Sequence, residues 1–372
     1  MSKKTPQFFK NPLKIRRLIQ RRRAADYLLI TLLSFGFSVG ATRLFLNLTG
    51  FPQLGGGNLH IAHVLWGGLF LFIASLLPII YVNEWVIALS GLVSGFGVGL
   101  FIDEVGKFIT QTNDYFYPSA APIIYALFLM TVFIFAQVRI ERRPSTRSIF
   151  YDVLERLTEV LDRDLSEEEA LEIQRRLKII IDRNDEPELS QLASSIQTYF
   201  DSDKKRLVPS DPTFLEKWKL AIQKFEKQHL SRKRVKTIIL SGLLIWAAWS
   251  LISPIGYLAA TRDPSQVQLI LNQLIEQKLI TNQSGLTWFE ARVLLEGGTG
   301  AIALVAAFLF FIKREKAGIW LGIADMLLVL TIVNLLIFYF DQFSTILLAA
   351  YQFVLFSFLI RYQRRFLKTK AN

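Results

Sequence analysis

Long apolar runs alternate with short polar segments along most of this chain. Each run approaches the roughly 20 residues that an α-helix needs to cross hydrocarbon, whereas strands of a membrane barrel would be shorter and would alternate polar with apolar residues. The runs cover Tyr27–Leu46, Ile61–Tyr81, Trp85–Phe101, Ala120–Val138, Thr237–Leu258, Val293–Ile312, Gly318–Phe340 and Ser344–Ile360. The pattern therefore predicts an all-α, polytopic helical membrane protein with about eight transmembrane helices.

The same pattern divides the chain into five segments. These are a basic N-terminal segment (1–26), a membrane block with four helices (27–138), a charged helical insert (139–236), a second membrane block with four helices (237–360) and a basic tail (361–372). The membrane blocks are interpreted as two diverged repeats, because Ala62-His63-Val64-Leu65 resembles Ala291-Arg292-Val293-Leu294 and the third helix of each block ends near an acid, Asp103 or Asp341. Four helices per copy preserve orientation, so the repeat would be parallel.

The insert is strongly charged and carries helical signals. Ser166 followed by Glu169 is a capping box that predicts a helix over Glu167–Arg183, and further helices are expected before it, over Leu189–Tyr199, and from Pro212 to Leu230. The simplest interpretation is a small bundle that packs against itself. The alternative is a docking module for a protein partner through residues 139–236.

Basic residues are distributed unevenly between the two sides predicted for the membrane. Thirty-eight of the 43 Lys and Arg fall in the N-terminal segment, the insert, the 313–316 turn and the tail. The positive-inside rule then predicts that both termini and the insert are cytoplasmic, in the inner (plasma) membrane of a bacterium. The net charge of +12 is explained by topology and contact with anionic membrane lipid, so it calls for no nucleic acid partner.

One group of polar residues carries the sharpest chemical signal. His60 and His63 begin the second helix and lie about 60° apart around it, and Asp103 and Glu104 end the Gly-rich third helix. Since a short turn makes these helices antiparallel neighbours, the four side chains are expected to meet at the outer membrane face. Lys107 lies one turn beyond Asp103 and can pair with it.

Other polar residues extend this candidate site or form a second one. Arg43 is expected to balance the charge of the carboxylates, and the loop at Asn113 and Asp114 to close over them. In the second block, Arg292 precedes Glu296 by four residues and is expected to form an ion pair with it. A further acid in this block, Asp325, is expected to reach towards the membrane surface or to contact Lys316.

Three interpretations of the outer group remain open. It is an ion-paired cluster that holds helix ends together, a proton- or ion-linked pathway, or a site for a divalent transition metal held by His60, His63, Asp103 and Glu104. The absence of cysteine excludes disulfides and thiolate metal ligands.

The pattern His60-x-x-His63-x-x-Trp66-Gly67, followed by a Gly-rich helix that ends in Asp103-Glu104, resembles bacterial multi-span membrane proteins of unassigned function. The resemblance covers about residues 55–140 and implies an inner-membrane protein, but it transfers no activity. Whether the chain is an enzyme stays open. The sequence favours ion- or proton-linked handling of a small solute, with a metal-dependent membrane enzyme acting on a lipid or lipid-linked substrate, or an assembly or scaffold protein, as alternatives.

Overall fold

The computed structural model describes residues 18–50, 62–140, 144–162, 165–201, 214–276, 279–280 and 283–367. These residues are predominantly helical and contain no strand, so the all-α fold class is confirmed. Within them, seven helical stretches are long and apolar enough to cross a membrane. The described residues divide into two compact units, one within residues 1–26 and 135–222 and the other within residues 27–134 and 223–372.

The first membrane block begins the larger unit and has four long helices and one short helix. Their bounds are α1 Ala24–Thr49, α2 His63–Ile80, α3 Glu84–Asp103, α4 Val105–Ile109 and α5 Ala120–Val138. The long helices differ from the predicted apolar runs by only a few residues at each end. A long apolar segment has no polar residue that would stop the helix earlier, and its backbone groups must be satisfied within the segment.

The insert contains α6 Thr146–Asp162, α7 Glu167–Arg183, α8 Pro187–Asp201 and α9 Phe214–His229. The predicted capping box is confirmed: the Glu169 amide donates to Ser166 Oγ at 3.3 Å, and the Ser166 amide donates to Glu169 Oε2 at 3.0 Å. Helices α6–α8 enclose a core that includes Val153, Ile173 and Phe200. The predicted interpretation as a bundle that packs against itself fits this core.

The compact units do not coincide with the predicted segments on either side of the insert. Arg22, from the N-terminal basic segment, binds Glu159 in α6 at 3.3 Å, so the described end of this segment belongs to the same compact unit as α6. The end of α9 belongs to the other unit, because Glu226 pairs with Arg361 at 2.9 Å and with Arg365 at 3.3 Å. These ion pairs join residues that are far apart in sequence, which no boundary based on hydropathy anticipates.

The second membrane block contains α10 Arg232–Ala260, α11 Pro264–Glu276, α12 Gln283–Phe311, α13 Glu315–Leu328, α14 Asn334–Asp341 and α15 Ile346–Tyr362. A π-helical turn, Val329–Val333, joins α13 to α14. Helix α11 was not predicted; its apolar residues pack against Phe289 and Phe340.

The last two predicted membrane helices form one helical stretch, Glu315–Leu367, of 53 residues. It is a hairpin, because the chain reverses at Gln342, whose φ is +48°, and the Tyr362 hydroxyl donates to Glu315 at 2.7 Å. The two ends of the stretch therefore meet, and its arms, α13–α14 and α15, are antiparallel. The last of the seven stretches therefore contains the last two of the eight predicted apolar runs, one in each arm of the hairpin.

Glycines allow α3 to approach two neighbours closely. A Cβ on Gly95 would collide with the Thr31 carbonyl of α1, and one on Gly97 would lie 3.0 Å from the Gly67 carbonyl of α2. The stripe formed by Gly91, Gly95 and Gly99 thus faces α1, whereas α2 is contacted through a different glycine. Small residues at helix crossings permit this approach within a membrane. The end of α1, the start of α2 and the end of α3 are thereby brought together.

Candidate functional site

Asp103 lies at the centre of a polar cluster at the end of α3. Its side chain is fully buried. Arg43 Nε donates to Oδ1 at 2.5 Å, and Oδ2 accepts from the Tyr115 hydroxyl at 2.6 Å and lies 3.0 Å from His63 Nε2. Arg43 Nη2 also donates to the Asp103 carbonyl at 3.0 Å. The acceptor positions of this carboxylate are therefore largely occupied, as a buried charge requires.

Glu104 is the next residue and has a different environment. Its side chain is also buried, and Oε1 accepts from Lys107 Nζ at 2.9 Å while lying 3.3 Å from His63 Nδ1. Its second oxygen, Oε2, has no hydrogen-bond partner among the described residues. Because buried polar atoms are normally paired, this oxygen is the open position of the cluster.

His63 bridges the two carboxylates. Its Nε2 faces Asp103 and its Nδ1 faces Glu104, and its side chain retains a fifth of its accessible surface. A neutral imidazole carries hydrogen on one nitrogen only, whereas an imidazolium can donate from both. The neutral ring can therefore donate to only one of the two carboxylates, whereas the imidazolium can donate to both.

Two aromatic rings cover the cluster. The Arg43 guanidinium carbon lies 4.3 Å from the ring centre of Tyr115 and 3.6 Å from that of Phe343, within the range of cation–π attraction. Burial and the nearby Asp103 raise the pKa of Tyr115, so its hydroxyl keeps its proton and remains a donor. Phe343 comes from the second membrane block and closes the site from that side.

The structure brings together the predicted site residues Arg43, His63, Asp103, Glu104 and Lys107. These five residues and Tyr115 are called the Asp103 cluster below. His60 lies outside the described residues. Asn113 and Asp114 do not contact the carboxylates in the described hydrogen bonds: Asn113 has a φ of +53°, and Asp114 Oδ1 accepts from the Phe116 amide at 2.9 Å. Both residues shape the turn that delivers Tyr115.

Tyr115 and Phe343 are the members of the site that sequence reasoning missed. Tyr115 directly follows the turn that was expected to cover the cluster, so an aromatic hydroxyl at that position was the available signal. Phe343 gave no signal, because it lies in the other membrane block and its role depends on how the blocks pack.

The predicted metal site is not assembled by the described residues. No group of three or more His, Asp or Glu side chains among them is arranged to hold a metal ion. Three of the four carboxylate oxygens of Asp103 and Glu104 instead receive Arg43, Lys107 and Tyr115.

A second ion-paired group lies in the other membrane block. Arg292 Nε is 3.3 Å from Glu296 Oε2, and its Nη2 also donates to Asp341 Oδ2. The expected pair is present, but Arg292 is shared between two acids. Arg292 and Asp341 occupy the positions that the proposed repeat places opposite His63 and Asp103, which also contact each other.

The prediction made for Asp325, in α13, was wrong. This residue was expected to reach the membrane surface or contact Lys316, but it is 1% exposed and neither carboxylate oxygen has a hydrogen-bond partner in the described part of the chain. Lys316 is exposed. The residue lies ten positions inside the helix, and its side chain faces the bundle, where a short carboxylate cannot reach water.

An apolar cavity of about 240 Å³ lies beside the Asp103 cluster. Its lining includes Val39 and Gly40, one turn before Arg43, and Phe343, which covers Arg43. Tyr125 also lines the cavity. A cavity on the order of 150 Å³ accommodates benzene, so this one has room for a small ring compound.

No family model, curated protein or solved structure matches this chain.

Proposed function

We propose that this chain is an inner-membrane protein that handles a small solute in exchange for, or together with, a proton or another small cation. The observation that carries the proposal is the second oxygen of Glu104, which is buried without a partner among the described residues while the other oxygen lies beside His63. Polar groups in membrane proteins that lack a structural partner commonly mark ion or proton pathways. An acceptor that is left open in an otherwise satisfied cluster is suited to a proton or cation.

The cluster divides into a structural half and an exchanging half. Asp103 receives Arg43 and Tyr115 and holds the ends of α1 and α3 together. Glu104 and His63 exchange the proton or cation, and Lys107 adjusts the charge of Glu104 from 2.9 Å away. A proton that leaves His63 changes the charge next to Glu104 without disturbing the Arg43 pair.

The apolar cavity is proposed as the place for the solute. Phe343 lines the cavity and also covers Arg43 of the Asp103 cluster, so a bound solute would contact the ring that covers Arg43. Its apolar lining favours a compact solute that is mostly hydrocarbon, with at most one charged or polar group. This link would couple occupancy of the cavity to the charge of the cluster.

The distribution of basic residues supports an orientation with both termini and the insert in the cytoplasm. The Asp103 cluster would then face the outer side, where a solute can reach it. Reporter fusions after Asn58, Arg147, Gln283 and Ala371 should read outside, inside, outside and inside. A cytoplasmic reading at Asn58 would contradict this orientation.

The function can be tested with protein in liposomes adsorbed on a solid-supported membrane. Benzylamine, benzoate and indole would be added under an imposed pH gradient, and the charge movement recorded. We expect a current that depends on both the solute and the gradient and that is lost in Glu104→Gln. The matched control is Glu84→Gln, the same substitution at the other end of α3, which should retain the current.

Other outcomes point to other classes. A current that persists in Glu104→Gln removes this residue from the mechanism. If no solute produces a current, and a transition metal copurifies with the chain but is lost in His63→Ala, a metal-dependent membrane enzyme would replace the proposal. The absence of both current and metal would favour an assembly or scaffold protein.

A further inference from the structure

We infer that Asp325 is a second proton-binding site, inside the second membrane block, and that it carries its proton in the resting protein. The site is supported by the burial of Asp325 and by its lack of a hydrogen-bond partner among the described residues. Its use in solute handling rests on the proposed function and would identify the proton as the coupled ion.

Asp325 differs from the other buried acids in having nothing to neutralise it. Both of its carboxylate oxygens are buried and lack a hydrogen-bond partner within the described ranges. An ionised carboxylate in a low-dielectric interior without a partner is so costly that the group takes up a proton instead. The resting state that the geometry supports is therefore the neutral carboxylic acid.

The titratable groups on the packed helices are committed elsewhere, so none of their described contacts neutralises Asp325. Arg232, Lys236 and Tyr362 bind Glu315; Tyr351 donates to the Gly242 carbonyl; Tyr257 donates to Glu290; Glu296 and Asp341 pair with Arg292; and Arg361 pairs with Glu226. Arg234 donates to the His229 carbonyl, and Lys233 and Lys316 are exposed.

Two unmatched donors lie in the interior of the same bundle. Trp246 Nε1 and Gln352 Nε2 are buried and have no acceptor among the described residues. Their level follows from the glycine contacts of α13. A Cβ on Gly322, one turn before Asp325, would lie 3.7 Å from Leu243 of α10 and 3.3 Å from Leu359 of α15.

From this contact the three helices can be followed in register. Trp246 lies one turn beyond Leu243 on α10, and Gln352 lies two turns before Leu359 on α15, which runs antiparallel to α13. Both steps run towards the same end of the bundle as the step from Gly322 to Asp325. Trp246 therefore lies at about the depth of Asp325, whereas Gln352 lies about one turn further along, where its Oε1 accepts from Asn334 Nδ2 at 2.6 Å.

The backbone is irregular next to this group. The π-helical turn Val329–Val333 follows Asp325 by one turn, and the carbonyl of Leu330 accepts from the Tyr125 hydroxyl at 2.8 Å. Asn334 Nδ2 donates to that hydroxyl at 3.1 Å and to Gln352 Oε1 at 2.6 Å. Single π turns within helices occur frequently at functional sites.

These contacts form a polar chain from Gln352 through Asn334 to Tyr125, which lines the apolar cavity. The exchange is a simple one: the O–H bond of the Asp325 carboxylic acid breaks, and the proton passes to water or to a basic group of a solute on the cavity side. The carboxylate that remains would be stabilised by the unpaired Trp246 N–H, which lies at about the same depth. Uptake reverses each step.

Infrared spectroscopy of the full chain in lipid nanodiscs tests this site directly. We expect a carbonyl stretching band of a protonated carboxylic acid at neutral pH, shifted in heavy water, abolished in Asp325→Asn and restored at a changed frequency in Asp325→Glu. The matched control, Asp103→Asn, should keep the band, because Asp103 is ion-paired. A band of unchanged intensity in Asp325→Asn, or no such band in the parent chain, overturns the inference.

A second measurement remains useful if Asp325→Asn does not fold. Removing the indole donor with Trp246→Phe destabilises the ionised form only, so the pH at which the band disappears should rise by about one unit. An unchanged midpoint in this variant overturns the role of Trp246. The band is measured without solute, so it tests Asp325 whether or not the Glu104→Gln variant loses the solute current. The Asp325 site and the proposed function can therefore fail independently.

Discussion

Asp103 and Asp325 are both buried acids in membrane helices, yet the fold treats them in opposite ways. Asp103 receives an arginine, a tyrosine hydroxyl and a histidine at distances of 2.5–3.0 Å. Asp325 receives no hydrogen bond from any described residue. The first acid lies at a helix end, where loops and neighbouring helix ends supply donors, and the second lies within a helix whose neighbours are mostly apolar.

The difference teaches how a membrane protein can hold a buried acid. A partnered carboxylate keeps its charge and ties helices together, so removing one partner leaves the other charge exposed to a low dielectric. A carboxylate without partners keeps its proton and contributes little to the fold. The structure thus assigns a mainly architectural role to the acid with more contacts and a chemical one to the acid with fewer.

The largest expected effect is the loss of the Arg43 side chain. Arg43→Met leaves Asp103 buried without its cation, and the free energy of unfolding should fall by about 3–5 kcal/mol. Thermal unfolding in detergent, followed by size exclusion, measures this loss. Arg43→Met combined with Asp103→Leu should recover much of it, because no charge is then left unpaired. A double variant that is less stable than the single one would contradict the comparison.

The next effect tests whether the Asp103 cluster depends on close helix packing. Gly95→Val forces α1 away from α3, since the added Cβ would collide with the Thr31 carbonyl, and overpacking of this kind costs about 1–3 kcal/mol or more. The control is Gly68→Ala, where no atom lies within 4 Å of the added Cβ. This variant should unfold at the same temperature as the parent or slightly higher.

The third effect has the opposite sign and is measured at Asp325. Replacing an unsatisfied buried acid with an apolar residue removes a desolvation cost, so Asp325→Leu should raise the free energy of unfolding by about 1–3 kcal/mol. Asp103→Leu alone should lower it, because Arg43 would lose its counter-charge. If both substitutions destabilise the chain equally, the two acids do not differ in the way described.

The smallest effect concerns a partnered acid outside the membrane helices. Burial alone would raise the pKa of Glu169, but the hydrogen bonds from Ser166 outweigh it and hold that pKa below its usual value. Because the pKa is lowered in the folded state, this stabilisation is present above the unfolded pKa and is lost as the pH falls through the folded one. Acidification should therefore speed amide exchange at the start of α7.

Ser166→Ala should cost about 1 kcal/mol locally and speed the same exchange at neutral pH. Ser195→Ala, on the exposed side of α8, is the control and should leave exchange in α7 unchanged. If the rate of amide exchange at the start of α7 changes neither with Ser166→Ala nor with pH, the capping box does not stabilise this helix.

Sequence alone was sufficient for the elements whose formation is decided locally. The membrane helices follow from long apolar runs, because backbone groups in hydrocarbon must be satisfied within the same segment. The start of α7 follows from Ser166 and Glu169, and its end from Asn184, whose φ is +44°. The nearness of His63 to Asp103 could also be expected, since a short turn joins the two helices.

What only the tertiary structure decided is the rotation of each helix and the partners that it meets. A helix that is apolar on all sides has no polar face to indicate its orientation, so the sequence did not reveal that the Gly95 stripe faces α1 or that Asp325 points into the bundle. Tyr115 reaches Asp103 from the following loop, and Phe343 covers Arg43 from 300 residues further along the chain. Local sequence determined the helices and the supply of charges; packing between distant segments determined which charge is neutralised and which acid is left to hold a proton.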